Sequence, residues 1–233
     1  MNYLNLLAYK NRSIQWARNL FLNKNSTVIL DTETTGLGNK DVIIQISIIN
    51  LDGNTLFNSL IKPSKKKRIP TEASMIHGIK MKDLINAPTF AEVVEEIYEI
   101  LKNKTVIIYN EEFDVRLIEQ SCEADQVRIL RFKSDCAMRY YSEFSSQWSE
   151  YHRDFRYQKL PGASHDSLGD CKAVLKLLHK MADSEIKMDS NGNPITLPKE
   201  KSDLETGIGC ILKGLFIAII ISILFFWLVL SCN

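Results

Sequence analysis

Val28, Ile29 and Leu30 run directly into Asp31 and Glu33, and no other stretch of this chain limits its folding as tightly. The apolar run reads as a buried strand, yet it ends on two carboxylates, and an unpaired buried carboxylate is costly. In a strand, residues two apart point to the same face. The two acids therefore lie side by side and repel unless a cation sits between them. Gly36 follows as a turn residue that permits close backbone approach.

One such pair is common by chance, but further acids fall where a cation site needs them. "IIYNEEFD" places Asp114 in the first turn of a helix that follows a buried strand, and "SHDSLGD" places Asp170 in the first turns of the last helix, five residues after His165. Four carboxylates and one imidazole suit two divalent cations and an activated water. Ligation by oxygen favours Mg²⁺ or Mn²⁺ over zinc. The five cysteines are scattered, odd in number and without a CxxC pair, which argues against a zinc site or a disulfide framework and for a reducing compartment. A net charge of +1 gives no global field of the kind that marks many nucleic-acid binders.

The rest of the chain supplies a frame for those acids. Ile14, Ala17, Leu20 and Phe21 have helical spacing within residues 10–22. "STVILDTETTG", "DVIIQISIIN" and "TLFNSLIKP" read as strands, with Asp52-Gly53 as a hairpin turn that makes them antiparallel. "TFAEVVEEIYEILKN" is an amphipathic helix, "TVIIYN" a short buried strand and "EEFDVRLIEQSCE" a helix. "SDCAMRYYSEF" and "HDSLGDCKAVLKLLHKMA" also read as helices. Strands followed by alternating helix and strand predict an α/β domain with a mixed β-sheet flanked by helices.

"DTETTG", "YNEEFD" and "HDSLGD" together resemble the three motifs of the DEDD superfamily of 3′–5′ exonucleases, whose members include proofreading subunits of bacterial replicative polymerases. The resemblance covers about residues 27–182. The tyrosine branch carries Tyr four residues before the last Asp, a position held here by Asp166. The histidine branch carries His five before it, where His165 stands, so the chain resembles the DEDDh branch. The resemblance implies a ribonuclease-H-like fold. It also implies that Asp31, Glu33, Asp114 and Asp170 hold two Mg²⁺ (or Mn²⁺) ions about 3.5–4 Å apart. His165 would then be the general base and a nucleoside 5′-monophosphate the product.

The resemblance extends to "ASMIHGI", where His77 is either a substrate contact or an ordinary turn histidine. Thr34 and Thr35 are candidate contacts to a terminal sugar through hydroxyl or N–H groups, or else plain turn residues. Asn110 and Phe113 are candidates for shaping the site. "KPSKKKR", residues 62–68, could steer a phosphate backbone or be a solvated loop. The chain departs from the family in two places: "YQKLPGASH" makes a short, turn-rich approach to His165, and Ser167 stands where relatives usually have Ala. Asp166 is expected to be an N-cap of the last helix.

Residues 214–230, "GLFIAIIISILFFWLVL", carry no charge; with Ile211, Leu212 and a snorkelling Lys213 they are long enough to span a bilayer. Lys199, Lys201 and Lys213 precede this segment and nothing basic follows. The positive-inside rule then predicts a single-pass tail anchor with the catalytic domain cytoplasmic. The expected organisation is an N-terminal helical extension (1–26), an exonuclease domain (27–182), a polar linker (183–208) with a local turn at Asn191-Gly192, and a transmembrane helix (209–233, spanning at 211–230). The expected partners are the membrane and the single-stranded 3′ end of DNA or RNA. Two rival readings are a proofreading subunit of a DNA polymerase and a catalytically silent module that binds nucleic-acid ends at the membrane.

Overall fold

The structure, a computed structural model, describes residues 1–64 and 67–197. Five strands, β1 (Thr27–Thr34), β2 (Ile43–Asn50), β3 (Thr55–Leu60), β4 (Thr105–Ile108) and β5 (Lys133–Cys136), form one mixed sheet in the order β3-β2-β1-β4-β5. β1, β2 and β3 are antiparallel neighbours, and Gly53 takes φ +84° in the predicted turn between β2 and β3. β4 pairs parallel to β1, and β5 parallel to β4. Parallel neighbours require crossovers. The crossovers contain α2 (Thr71–His77), α3 (Phe90–Leu101) and α4 (Glu111–Ala124); α1 (Tyr3–Leu22) precedes the sheet strands in the chain, and α5 (Ala137–Ser145) and α6 (Ser167–Ala182) follow β5.

The sheet's pleat sorts its side chains into two cores. Val28 and Leu30 of β1, Ile46 and Ile48 of β2, and Val106 and Ile108 of β4 pack against α3 and α4. Ile29, Ile49 and Ile107 point the other way, onto α1, α5 and α6. This is the mixed α/β sheet that the strand and helix pattern predicts, in the ribonuclease-H-like arrangement that the family resemblance implies. Its consequence for the site is direct. Asp31 and Glu33 continue the register of Ile29 and face the α6 side, while Thr32 between them faces α4.

Three local readings are corrected. Ser134, Asp135 and Cys136 are not helical: they form β5, and α5 starts at Ala137. A short polar edge strand has neither a period-2 apolar pattern nor a buried run, so only its pairing with β4 defines it. The helix expected over 10–22 begins at Tyr3, capped by the Asn2 side chain accepting from the Asn5 N–H at 2.8 Å. Its apolar face docks on the domain as its amphipathic spacing suggests, with Ile14, Ala17 and Leu20 completing the second core. Residues 183–196 do not form a free linker. Asn11, 5% exposed, donates from Nδ2 to the carbonyls of Lys187 and Ile195 at 2.8 Å each and accepts the Lys187 N–H at 2.8 Å. The segment folds back through the predicted Asn191-Gly192 turn, with Gly192 at φ +78° and the Asp189 N–H donating to Asn193 O at 2.8 Å. It belongs to a compact unit, Met1–Thr196. One further element has no counterpart in the sequence reading: "QWSEYHRDFR" holds a two-stranded hairpin, β6 (Trp148–Ser149) with β7 (Asp154–Phe155).

Among the described residues no helix is long and apolar enough to cross a membrane. The span predicted at 211–230 lies outside the described residues, as do Lys65 and Lys66 of the basic run.

Candidate active site

Three carboxylates converge at the end of β1. Ligand oxygens of Asp31, Glu33 and Asp170 lie within 4.8 Å of one another. The first two come from alternate positions of β1. The third comes from the first turn of α6, whose N-terminal N–H groups favour negative charge. Asp170 is held from outside the trio: its Oδ1 accepts the Ser164 N–H at 2.6 Å and the Ser164 hydroxyl at 3.3 Å. Asp114, 4% exposed in the first turn of α4, stands beside the trio. It accepts a 2.6 Å hydrogen bond from Thr32, the residue between the two β1 acids that points to the opposite face.

Among the described residues no Lys, Arg or His forms an ion pair with any of these four acids. The electrostatic result is that some of them hold protons at unusually high pH. Burial, then the charges of Asp114, Asp170, Glu33 and Asp166, push Asp31 well above the carboxylate range. Burial and the charges of Asp170, Asp114 and Asp166 raise Glu33 to about 8. Burial raises Asp114 to about 7, against the opposing effect of the Thr32 hydrogen bond. An all-oxygen cluster of like charges with no internal counter-ion fits a hard divalent cation, which relieves the repulsion that raises these values. Asp31, Glu33 and Asp170 would hold it.

His165 is exposed, on the loop that leads into α6, in the left-handed region at φ +55°. A non-glycine residue there carries some strain. Its approach loop is fastened at both ends: the Tyr109 hydroxyl donates to Gln158 O at 2.7 Å, and Ser164 binds Asp170. Asp166 is the predicted N-cap, accepting the Gly169 N–H at 2.9 Å.

Gln45 of β2, which sequence reading passed over, braces this turn. Its Nε2 donates to Asp166 Oδ1 at 2.9 Å, and its Oε1 accepts the Ser167 N–H at 3.2 Å. The signal was present as one amide within the isoleucine-rich "IIQISIIN". Ser167 is more than a small residue in place of Ala. Fully buried, it shares a 2.6 Å hydrogen bond with the Ser47 hydroxyl of β2 and pins α6 to the sheet.

The substrate-contact candidates divide. His77, at the end of α2, lies close enough to His165 for their charges to interact. Burial holds it below the ordinary histidine value, the Thr34 main chain opposes this, and His165 adds to it. Its Nδ1 accepts the Ile79 N–H at 3.1 Å, and its buried Nε2 has no partner of good geometry. Gly78, at φ +76°, makes the turn expected there. Thr34 spends its hydroxyl on Gly36 O at 2.9 Å. Thr35 is corrected: it is fully buried, its hydroxyl donates to Asp41 at 2.7 Å and its N–H to Val42 O at 2.9 Å, so neither group is free. It orders the turn after β1. Asn110 is exposed just before α4 and makes no side-chain cap, while Phe113 is half-buried under the Arg116 guanidinium, 5.2 Å from the ring centre.

Residues 28–178 match the sequence model of the Exonuclease (RNase_T) family. Among curated relatives, an uncharacterized exonuclease, CP81, of Escherichia phage 186 is 30% identical over 172 residues, which is 66% of this chain and 87% of that protein. The DNA polymerase III subunit epsilon of Escherichia coli (strain K12) is 33% identical over 103 residues, 40% of this chain and 41% of the subunit. The match therefore spans less than half of the polymerase subunit. Of solved structures, E. coli Exonuclease I in complex with a dA16 oligonucleotide superposes with a TM-score of 0.55 at 16% identity, over 67% of this chain and 42% of that one. The nuclease domain of 3′hExo, a DEDDh family member bound to rAMP, does so at 0.50 and 15%, over 66% and 90%. Similarities this distant in sequence establish the fold. The family match runs from β1 into α6 and so takes in every element that carries one of the four acids: the chain belongs to the exonuclease family.

Proposed function

We propose that this protein is a metal-dependent 3′–5′ exonuclease that releases nucleoside 5′-monophosphates from the 3′ ends of DNA or RNA. The convergence of Asp31, Glu33 and Asp170 within 4.8 Å, with Asp114 alongside, carries the reading. Two Mg²⁺ or Mn²⁺ ions bound there would neutralise the scissile phosphodiester and acidify the attacking water. The chain's own residues do the rest. Asp31, Glu33, Asp114 and Asp170 hold and orient the charge of the site. His165, on its strained turn, accepts the proton of the attacking water. His77, Asn110 and Phe113 line the approach of the terminal nucleotide, and Thr34 shapes the floor beneath it.

The test uses the full chain in detergent with 5′-labelled single-stranded DNA, duplex DNA and RNA. A ladder shortening from the 3′ end, dependent on Mg²⁺ and absent in Asp31→Asn and Asp170→Asn, is expected. Near-normal turnover in those variants with EDTA harmless would sink the mechanism, and binding without cleavage would favour an end-binding module. A polymerase retained through purification would favour the proofreading reading, which the partial likeness to the polymerase subunit supports.

The tether is part of the proposal. Residues 211–230 anchor the chain in a membrane with residues 1–196 on the cytoplasmic side. Because residues 183–196 are docked, the tether begins fourteen residues later than the polar composition of 183–208 suggests. The chain should remain with membranes after carbonate washing; recovery in the soluble fraction without detergent would refute the anchor.

A further inference from the structure

A cleft of about 380 Å³ lies between α1, the start of α5 and the β6–β7 hairpin, lined among others by Arg139, Trp148, Arg153 and Tyr157. Its charges are unbalanced. Arg12, on one wall, is matched by Glu143, which accepts from its Nε at 3.1 Å. In contrast Arg139, Arg153, Arg156 and Lys159 are exposed, and among the described residues none has an ion-pair partner. Two exposed acids stand nearby: Asp154 accepts the Phe155 N–H at 2.7 Å, and Glu150 is paired with the N-terminal ammonium at 3.0 Å. Tyr157, 67% exposed, shares this surface.

The scaffold beneath is held by aromatic packing and a backbone hydrogen bond. Phe155, 9% exposed, packs edge-on against Tyr9 and Trp148, with ring centres 5.1 and 5.3 Å away. The Arg156 N–H donates to Gln147 O at 2.8 Å. The surface also leads somewhere. Gln158, next to Tyr157, is held by Tyr109, the residue between β4 and the Asn110 that precedes α4. Seven residues further on, the same loop reaches His165, so the two ends are at most ~24 Å apart.

We propose that Arg139, Arg153, Arg156, Tyr157 and Lys159 form a track for single-stranded nucleic acid upstream of the 3′ end, an inference that rests on the nuclease reading above. Unpaired cations beside an exposed ring match alternating phosphates and bases. A duplex hides the base faces that the ring would stack on, which favours the single strand.

The experiment measures fluorescence anisotropy of labelled dT20 and rU20 with the full chain in detergent and EDTA, where no cleavage intervenes. The paired substitution Arg139→Gln/Arg153→Asn removes both charges, and Asn tolerates the left-handed backbone of Arg153 at φ +52°. Dissociation constants should rise about 10-fold or more, and the slope of log Kd against log salt should fall by about 1.4, or 0.7 per phosphate contact. Tyr157→Ala, at an exposed ring, should weaken binding about 10-fold without changing that slope. The tighter binder of the two oligonucleotides identifies the strand chemistry.

Lys102→Gln/Lys133→Gln alters the charge equally at the opposite end of β4 and β5. An equal loss in that control, unchanged binding in the track variants, or a blunt duplex bound as tightly as dT20 would each overturn the track. Where turnover is measured, kcat/KM on a 20-mer should fall at least 10-fold more than on a dinucleotide. Absence of all hydrolysis would overturn the nuclease reading alone, because the binding arm needs none.

Discussion

Metal should stabilise this protein, and increasingly so as pH rises. Glu33 keeps its proton up to about pH 8 in the folded, metal-free chain but only to about its ordinary 4.5 once unfolded. Between those values the folded state binds more protons than the unfolded state, so the linkage slope is negative. The stability from this group is complete below about pH 4.5 and is lost as pH rises through about 8. Asp31 and Asp114 shift in the same direction. A displacement of about 3.5 units at 1.36 kcal/mol each gives about 5 kcal/mol as an upper figure for Glu33; solvent and side-chain relaxation reduce it to about 2–3 kcal/mol. Bound Mg²⁺ replaces the missing counter-charge and should return that amount. For a unit of this size it corresponds to a rise in Tm of roughly 5–10 °C at pH 8, and to little at pH 5. The assay is a thermal melt of the full chain in detergent from pH 5 to 8.5, in EDTA, Mg²⁺ or Mn²⁺. Glu33→Gln, neutral and nearly isosteric, should flatten the metal-free pH profile and reduce the metal response. A metal-free Tm that does not fall between pH 5 and 8, or a Glu33→Gln profile as steep as that of the parent, would refute the electrostatic argument.

Other substitutions probe the remaining parts of the site and its supports. His165→Ala should lower the turnover rate by about 10²–10⁴ and flatten the acid limb of the pH–rate profile; a wild-type rate with an unchanged profile would remove it as the base. Thr32→Val removes the 2.6 Å bond to Asp114. It should raise the Mg²⁺ concentration for half-maximal activity about 10-fold, as loss of a hydrogen bond to a charged group would, and an unchanged metal requirement would mean that Asp114 needs no such support. Asn11→Ala breaks three hydrogen bonds to residues 187 and 195. It should cost about 2–3 kcal/mol and expose the Lys187 amide to fast hydrogen exchange, and retained protection there would show that the segment is docked by other contacts.

Much of this architecture is legible one residue at a time because its signals are local. The alternation of Val28, Ile29 and Leu30 announces a strand buried on both faces, and the same period carries Asp31 and Glu33 to one face before any partner is known. The Asp166 cap, the Asp52-Gly53 turn and the Asn191-Gly192 turn depend on backbone chemistry within four residues, and all three are where the sequence puts them. Asp31 and Glu33 lie on β1, and Asp114 and Asp170 in the first turns of α4 and α6, where the local patterns put them.

What tertiary structure decided are the matters in which distant residues choose one another. β5 is a strand only because β4 offers it a parallel edge; its own Lys-Ser-Asp-Cys has no pattern to declare it. Asn11 and residues 183–196 look like a helix surface and a linker until three hydrogen bonds join them across more than 170 positions of chain. Thr35 resembles a free hydroxyl beside the site and is instead consumed by Asp41 and Val42, because the turn after β1 must satisfy its own polar groups where water cannot enter. Gln45 braces Asp166 and Ser167 from 121 and 122 residues away. Sequence determines which face a side chain takes, since that follows from the backbone's own repeat; which partner meets it there depends on how the sheet and helices close around it.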